Sequence, residues 1–130
     1  MLTKSKYVTL LIFIISALLI FTNLSGQLLW KDEAGVAVIG QNTLSSGLPK
    51  VWDGKNLISS TDGNNFNNDL LIINYEWLQF YILSISFKLF GITTFAARIP
   101  FAILGFLSII AFCLLSYQIT KKNNTSNILT

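Results

Sequence analysis

The chain has 130 residues, at most one domain's worth, and is 52% hydrophobic but only 12% charged, with a mean hydropathy of +0.60. That balance is too apolar for an ordinary water-soluble domain and points to lipid as the solvent. The net charge of +3 is small and dispersed, which leaves no nucleic-acid footprint, and the absence of histidine excludes imidazole metal sites and histidine-dependent nucleophilic catalysis within this chain.

The elements follow in chain order. Residues 1–6 form a short basic tail with Lys4 and Lys6, expected in the cytoplasm. Residues 7–24, "YVTLLIFIISALLIFTNL", are uncharged and predict a first transmembrane helix near the lower length limit. A signal peptide is the rival reading, but the apolar run is long for one and no clean small-x-small site follows it, so a retained anchor is preferred. Residues 25–97 form an external loop. Within it "DEAGVAVIGQNTLSSG" predicts a juxtamembrane helix at about 32–47, with acids at its start and Gly47 and Pro49 as stop signals. Its glycines, Gly35 and Gly40, weaken helix propensity and suggest close packing against something.

The next stretch, Asp53 to Asp69, is rich in Asn, Asp, Gly and Ser and reads as turns and loop. It lacks the spacing of an EF-hand loop, so no calcium site is assigned to it. A second juxtamembrane helix is expected at about 75–90. Its charged ends and short uncharged middle suit the membrane interface, with Glu76, Gln79 and Ser86 on a polar face and Trp77, Tyr81 and Ile85 buried. Residues 98–120 predict the second transmembrane helix, preceded by Arg98 and followed by Lys121 and Lys122. Cys113 lies inside this run and reads as a small hydrophobe. Residues 121–130 are expected to be a cytoplasmic tail, truncated within a longer protein. The expected fold is therefore an all-α membrane protein: two transmembrane helices, an external segment with two juxtamembrane helices, and the whole a fragment of a larger multi-span fold.

The stretch "LLWKDEAG" carries the most chemical information. Two carboxylates, Asp32 and Glu33, follow a membrane span almost directly. On one reading they cap a helix and mark the membrane edge, with Trp30 as an interfacial anchor. On the other, one of them is a general base that takes a proton from an attacking hydroxyl on a lipid-linked substrate. Both readings stand on the residues alone.

The order of these pieces resembles the N-terminal part of polyprenyl-phosphate-sugar-dependent membrane glycosyltransferases with the C-type fold. That superfamily holds the protein O-mannosyltransferases and the bacterial transferases that add aminoarabinose to lipid A. The matching pieces are a span ending in "LLW", then "KDEAGVAVIGQNTLSSGLP", then "LQFYILSISFKLFGITTFAARIPFAILGFLSI", together covering residues 7 to 120. The resemblance implies an inverting transfer of a sugar from a polyprenyl-phosphate donor to an acceptor on the external face. Asp32 matches the catalytic base, while Glu33 and Arg98 match substrate-positioning places. Snorkelling from the end of a span is the plain alternative for Arg98. The lipid A transferases carry a Glu-Lys-Pro before the second juxtamembrane helix, whereas this chain has "NYEWLQ", with Glu76 displaced and no proline.

The parent enzyme would thus be a hexosyl or pentosyl transferase in the bacterial inner membrane, multi-pass, and the 130 residues alone are expected to be inactive. Its partners would be membrane lipid, the polyprenyl-phosphate-linked sugar and the remaining spans of the same parent, with no nucleic acid. No cofactor or metal ligand is evident in this chain, and a divalent metal is left to the full-length enzyme. Two other classes are compatible with the sequence: a self-contained two-span assembly or regulatory subunit without activity, and an anchored binding module made of residues 25–97, which lacks a disulfide framework and an obvious core of its own.

Overall fold

A computed structural model describes residues 2–58 and 64–126, and these fold into four helices with no strand among the described residues: α1 (Leu2–Phe21), α2 (Lys31–Ser46), α3 (Leu78–Phe90) and α4 (Thr94–Ser126). The protein is all-α, as its composition suggests. It divides into two compact units, Met1–Thr22 with Phe101–Thr130, and Asn23–Pro100.

In the first unit, the ring of Phe106 meets the edges of Phe13 and Phe21, with centroids 6.4 and 5.8 Å apart. Helix α1 takes in residues 2–6 of the expected basic tail and ends at Phe21, three residues before the expected end at Leu24. Its apolar part, Lys6–Phe21, is shorter than the roughly 20 residues a spanning helix needs. Helix α4 is different. Its segment Thr94–Lys121 has 28 residues, is long and apolar enough to cross a membrane, and buries none of its most apolar window within the chain. At about 1.5 Å per residue it exceeds a hydrocarbon core of about 30 Å. The tail expected at 121–130 continues this helix as far as Ser126, and residues 127–130 lie outside the described part.

The second unit is built on α2 against α3. Leu83 and Phe87 of α3 pack with Ala37, Ala96 and Ala97, and Phe80 packs with Ile39, Val51 and Ile72. Fully burying a side chain such as Phe80 or Leu83 contributes about 1.5–3 kcal/mol. Gly40 makes this approach possible: a Cβ placed there would lie 2.7 Å from the Cβ of Leu83. Helix α2 ends as its sequence indicates, with Gly47 in the left-handed region at φ 77° and its N–H donating to Thr43 O at 2.8 Å.

The segment between α2 and α3 is irregular, tied by isolated bridges between Lys50 and Leu71, Trp52 and Leu57, and Phe66 and Ile72. Asn42 Nδ2 donates to Lys50 O at 2.9 Å and Trp77 Nε1 to Ile72 O at 2.8 Å, anchoring both ends of the segment. Asp53 accepts the backbone N–H groups of Asn56 and Lys55 at 2.6 and 2.7 Å, which hold its carboxyl below the usual range. That acid serves a turn. The part of the Asn- and Asp-rich stretch at 59–63 lies outside the described residues.

Helix α3 requires a correction. Its buried face is Phe80, Leu83, Ser86 and Phe87, whereas Ile85 is 60% exposed, Trp77 is 37% exposed and Tyr81 is only half-buried. Ser86, expected on a polar outer face, is buried because it has a specific partner. Pro100, inside α4, has no N–H to give to Ala96 O four residues earlier. Ala96 is fully buried, so water cannot serve that carbonyl; the Ser86 hydroxyl donates to it instead, at 2.6 Å. Helix α4 itself starts at Thr94 because Thr93 caps it, its Oγ1 accepting the Ala96 N–H at 3.1 Å.

Candidate active site

Adjacent residues on a helix diverge by roughly 100°, so Asp32 and Glu33 cannot share surroundings. Trp30 is the N-cap of α2, which places Lys31, Asp32 and Glu33 at its first three positions. Glu33 folds back and its Oε2 accepts the Trp30 N–H at 3.0 Å, half of a capping box. The other half is missing, because an indole has no oxygen to accept the N–H of Glu33.

The same carboxylate holds Arg98. Arg98 Nη2 donates to Glu33 Oε2 at 2.7 Å and Nε to Oε1 at 3.2 Å, a two-pronged contact. The remaining donors reach the connector before α2: Nη1 to Leu24 O at 3.2 Å and Gln27 O at 3.1 Å, and Nη2 to Leu28 O at 3.2 Å. All five N–H groups of the guanidinium therefore have protein acceptors. Arg98 is 20% exposed and Glu33 44%. The Arg98 guanidinium, followed by the Trp30 N–H, holds the Glu33 carboxyl below its ordinary value.

Asp32 stands apart. It is exposed and its carboxylate makes no hydrogen bond or ion pair among the described residues. It lines a cavity of about 270 Å³ together with Lys31, Gly35, Val36 and Ile39 of α2. The opposite wall comes from the irregular segment and α3, including Ile72, Tyr75 and Phe80. The Tyr75 and Phe80 rings meet edge to face at 6.5 Å. The cavity is mostly apolar, with a carboxylate and an ammonium from α2 and the polar groups of Asn65 and Tyr75 elsewhere in its lining. It lies at the start of α2, where the helix dipole favours negative charge.

Of the three residues singled out from the sequence, the fold brings Glu33 and Arg98 together and turns Asp32 to the cavity. Gly35, Val36 and Ile39 follow Asp32 at the three- and four-residue steps of one helix face, so that wall could have been found from spacing. Ile72 and Tyr75 carry no such signal, since they arrive from an irregular segment. No three His, Cys, Asp or Glu side chains gather as metal ligands among the described residues, and Glu76 is exposed ahead of α3.

Compared with protein-family models, curated proteins and solved structures, the chain matches none.

Proposed function

We propose that this chain is the N-terminal part of an integral-membrane glycosyltransferase, in which Asp32 is the general base of an inverting sugar transfer from a polyprenyl-phosphate donor. In this reading α4 is a membrane span, α1 crosses as a second span despite its short apolar part, and residues 25–97 lie on the external face. The observation that carries it is the division of labour within the acidic pair. Glu33 is taken up by the cap and by Arg98, while Asp32 is left open beside a cavity. A helix cap needs only one of the two acids, and Glu33 fills that role.

The reaction follows from this placement. An acceptor hydroxyl approaches Asp32, gives its proton to the carboxylate and attacks the anomeric carbon. The bond from that carbon to the phosphate oxygen breaks, and polyprenyl phosphate leaves with the electron pair. Attack from the side opposite the leaving group inverts the configuration. Arg98 has no free donor, so its part is to fix Glu33 and the connector, and through them the first turn of α2.

Asp32→Asn in the full-length enzyme tests this. It conserves size, leaves Glu33 and its cap untouched, and removes the base, so turnover should fall by roughly 10²-fold or more with unchanged protein level. Full turnover at normal expression would overturn the reading. Asp32 would then be only one of the acids that open α2, as in the helix-cap reading.

A further inference from the structure

Glycine weakens a helix interior relative to alanine, so each one inside α2 needs a reason. Gly40 has one, the contact with Leu83. Gly35 does not: its φ is not in the left-handed region, and a Cβ built there would meet nothing within 4 Å. Neither backbone conformation nor packing within the described chain accounts for it. What lies beyond it is the cavity beside Asp32, one helical turn away. A methyl or larger group at position 35 would occupy that space.

The chemistry of the walls narrows the occupant. Val36, Ile39, Ile58, Ile72 and Phe80 make most of the lining apolar, and its polar residues are Lys31, Asp32, Asn65 and Tyr75. The larger share of the lining is apolar, which suits a ligand with an apolar body and one polar end better than a ring bearing hydroxyls all round. The volume, about 270 Å³, is ample for one ring, since a dry apolar cavity of about 150 Å³ takes a benzene-sized ligand. We propose that this cavity is the acceptor pocket, that it takes a compact apolar ring or branched aliphatic body bearing a hydroxyl, and that Gly35 determines its specificity by leaving α2 bare on that side. The proposal rests on the reading of Asp32 as general base for what the bound hydroxyl does next, and on the cavity alone for binding.

Cyclohexanol and myo-inositol share one carbon ring and differ in carrying one hydroxyl or six, which makes them a matched pair of probes. The chain, labelled with ¹³C at its isoleucine δ-methyls, is titrated in detergent micelles. Ile39 and Ile72 report on the cavity, and Ile103, exposed on α4, reports on uptake of the alcohol by the micelle. Cyclohexanol should shift Ile39 and Ile72 saturably while Ile103 drifts linearly, and inositol should shift none of them. Gly35→Leu should abolish the saturable shift, and Gly35→Ala should weaken it several-fold with the fold intact. Three results would overturn the proposal: equal saturation by inositol, cavity methyls that merely track Ile103, or binding indifferent to residue 35. Because no turnover is read, such a failure is separate from the outcome of Asp32→Asn.

Discussion

Arg98 grips Glu33 across 65 residues of sequence, with Nη2 2.7 Å from Oε2. This contact joins the first turn of α4 to the first turn of α2, and the three carbonyls of Leu24, Gln27 and Leu28 bind the connector to the same guanidinium. It also settles which carboxylate of the adjacent pair is engaged by the protein. A planar fork with five donors suits this work, whereas an ammonium would not.

Arg98→Lys should therefore behave almost as a deletion. It keeps the charge but cannot serve five acceptors, and it should lower stability by about 1–2 kcal/mol, close to the loss in Arg98→Ala. Glu33→Gln keeps a hydrogen-bond acceptor and should cost about 1 kcal/mol or less, as the pair is partly exposed. Thermal unfolding of the variants in detergent gives the ranking. Near-complete rescue by lysine would show that charge alone matters.

The clamp also predicts a pH dependence. The folded-state pKa of Glu33 is depressed, so its contribution to stability is fully present above the unfolded-state value, in the ordinary glutamate range. It drains away as pH falls through the lower folded value. The stability gap between wild type and Glu33→Gln should hold at neutral pH and narrow as pH falls below the ordinary glutamate range. Unfolding both proteins across that range isolates this group, because the other carboxylates cancel in the difference.

Ser86 and Pro100 form a testable pair. Ser86→Ala removes the donor to the buried Ala96 carbonyl and should cost about 1–3 kcal/mol. Pro100→Ala restores a backbone N–H that can reach that carbonyl, so the double variant should recover much of the loss. A double-mutant cycle by thermal unfolding measures the coupling. Strict additivity would show that the proline and the serine are independent.

The two glycines of α2 should respond in opposite directions. Gly35→Ala meets open space and should stabilise the chain by about 0.5–1 kcal/mol through helix propensity. Gly40→Ala drives a methyl against Leu83 Cβ, and overpacking of about 1–3 kcal/mol should outweigh the same gain. Unfolding midpoints of the two variants on either side of the wild type would agree with this.

What the sequence by itself determined is what depends on composition and on near neighbours. The all-α class follows from the long apolar runs. The acids at the start of α2 and the Gly47 and Pro49 stop after it are local signals, which act over one helical turn. What tertiary structure decided is every pairing across a distance. Helical periodicity places Ser86 on a face but does not say what that face meets; Ala96, left with an unserved carbonyl by Pro100, turned a residue read as polar surface into a buried one. Gly35 and Gly40 look alike in sequence, and only the presence of Leu83 beside one and open space beside the other tells them apart. Asp32 and Glu33 differ by a methylene and one position. Their roles diverged because a helix turns roughly 100° per residue, and Arg98 came to rest on one side and the cavity on the other.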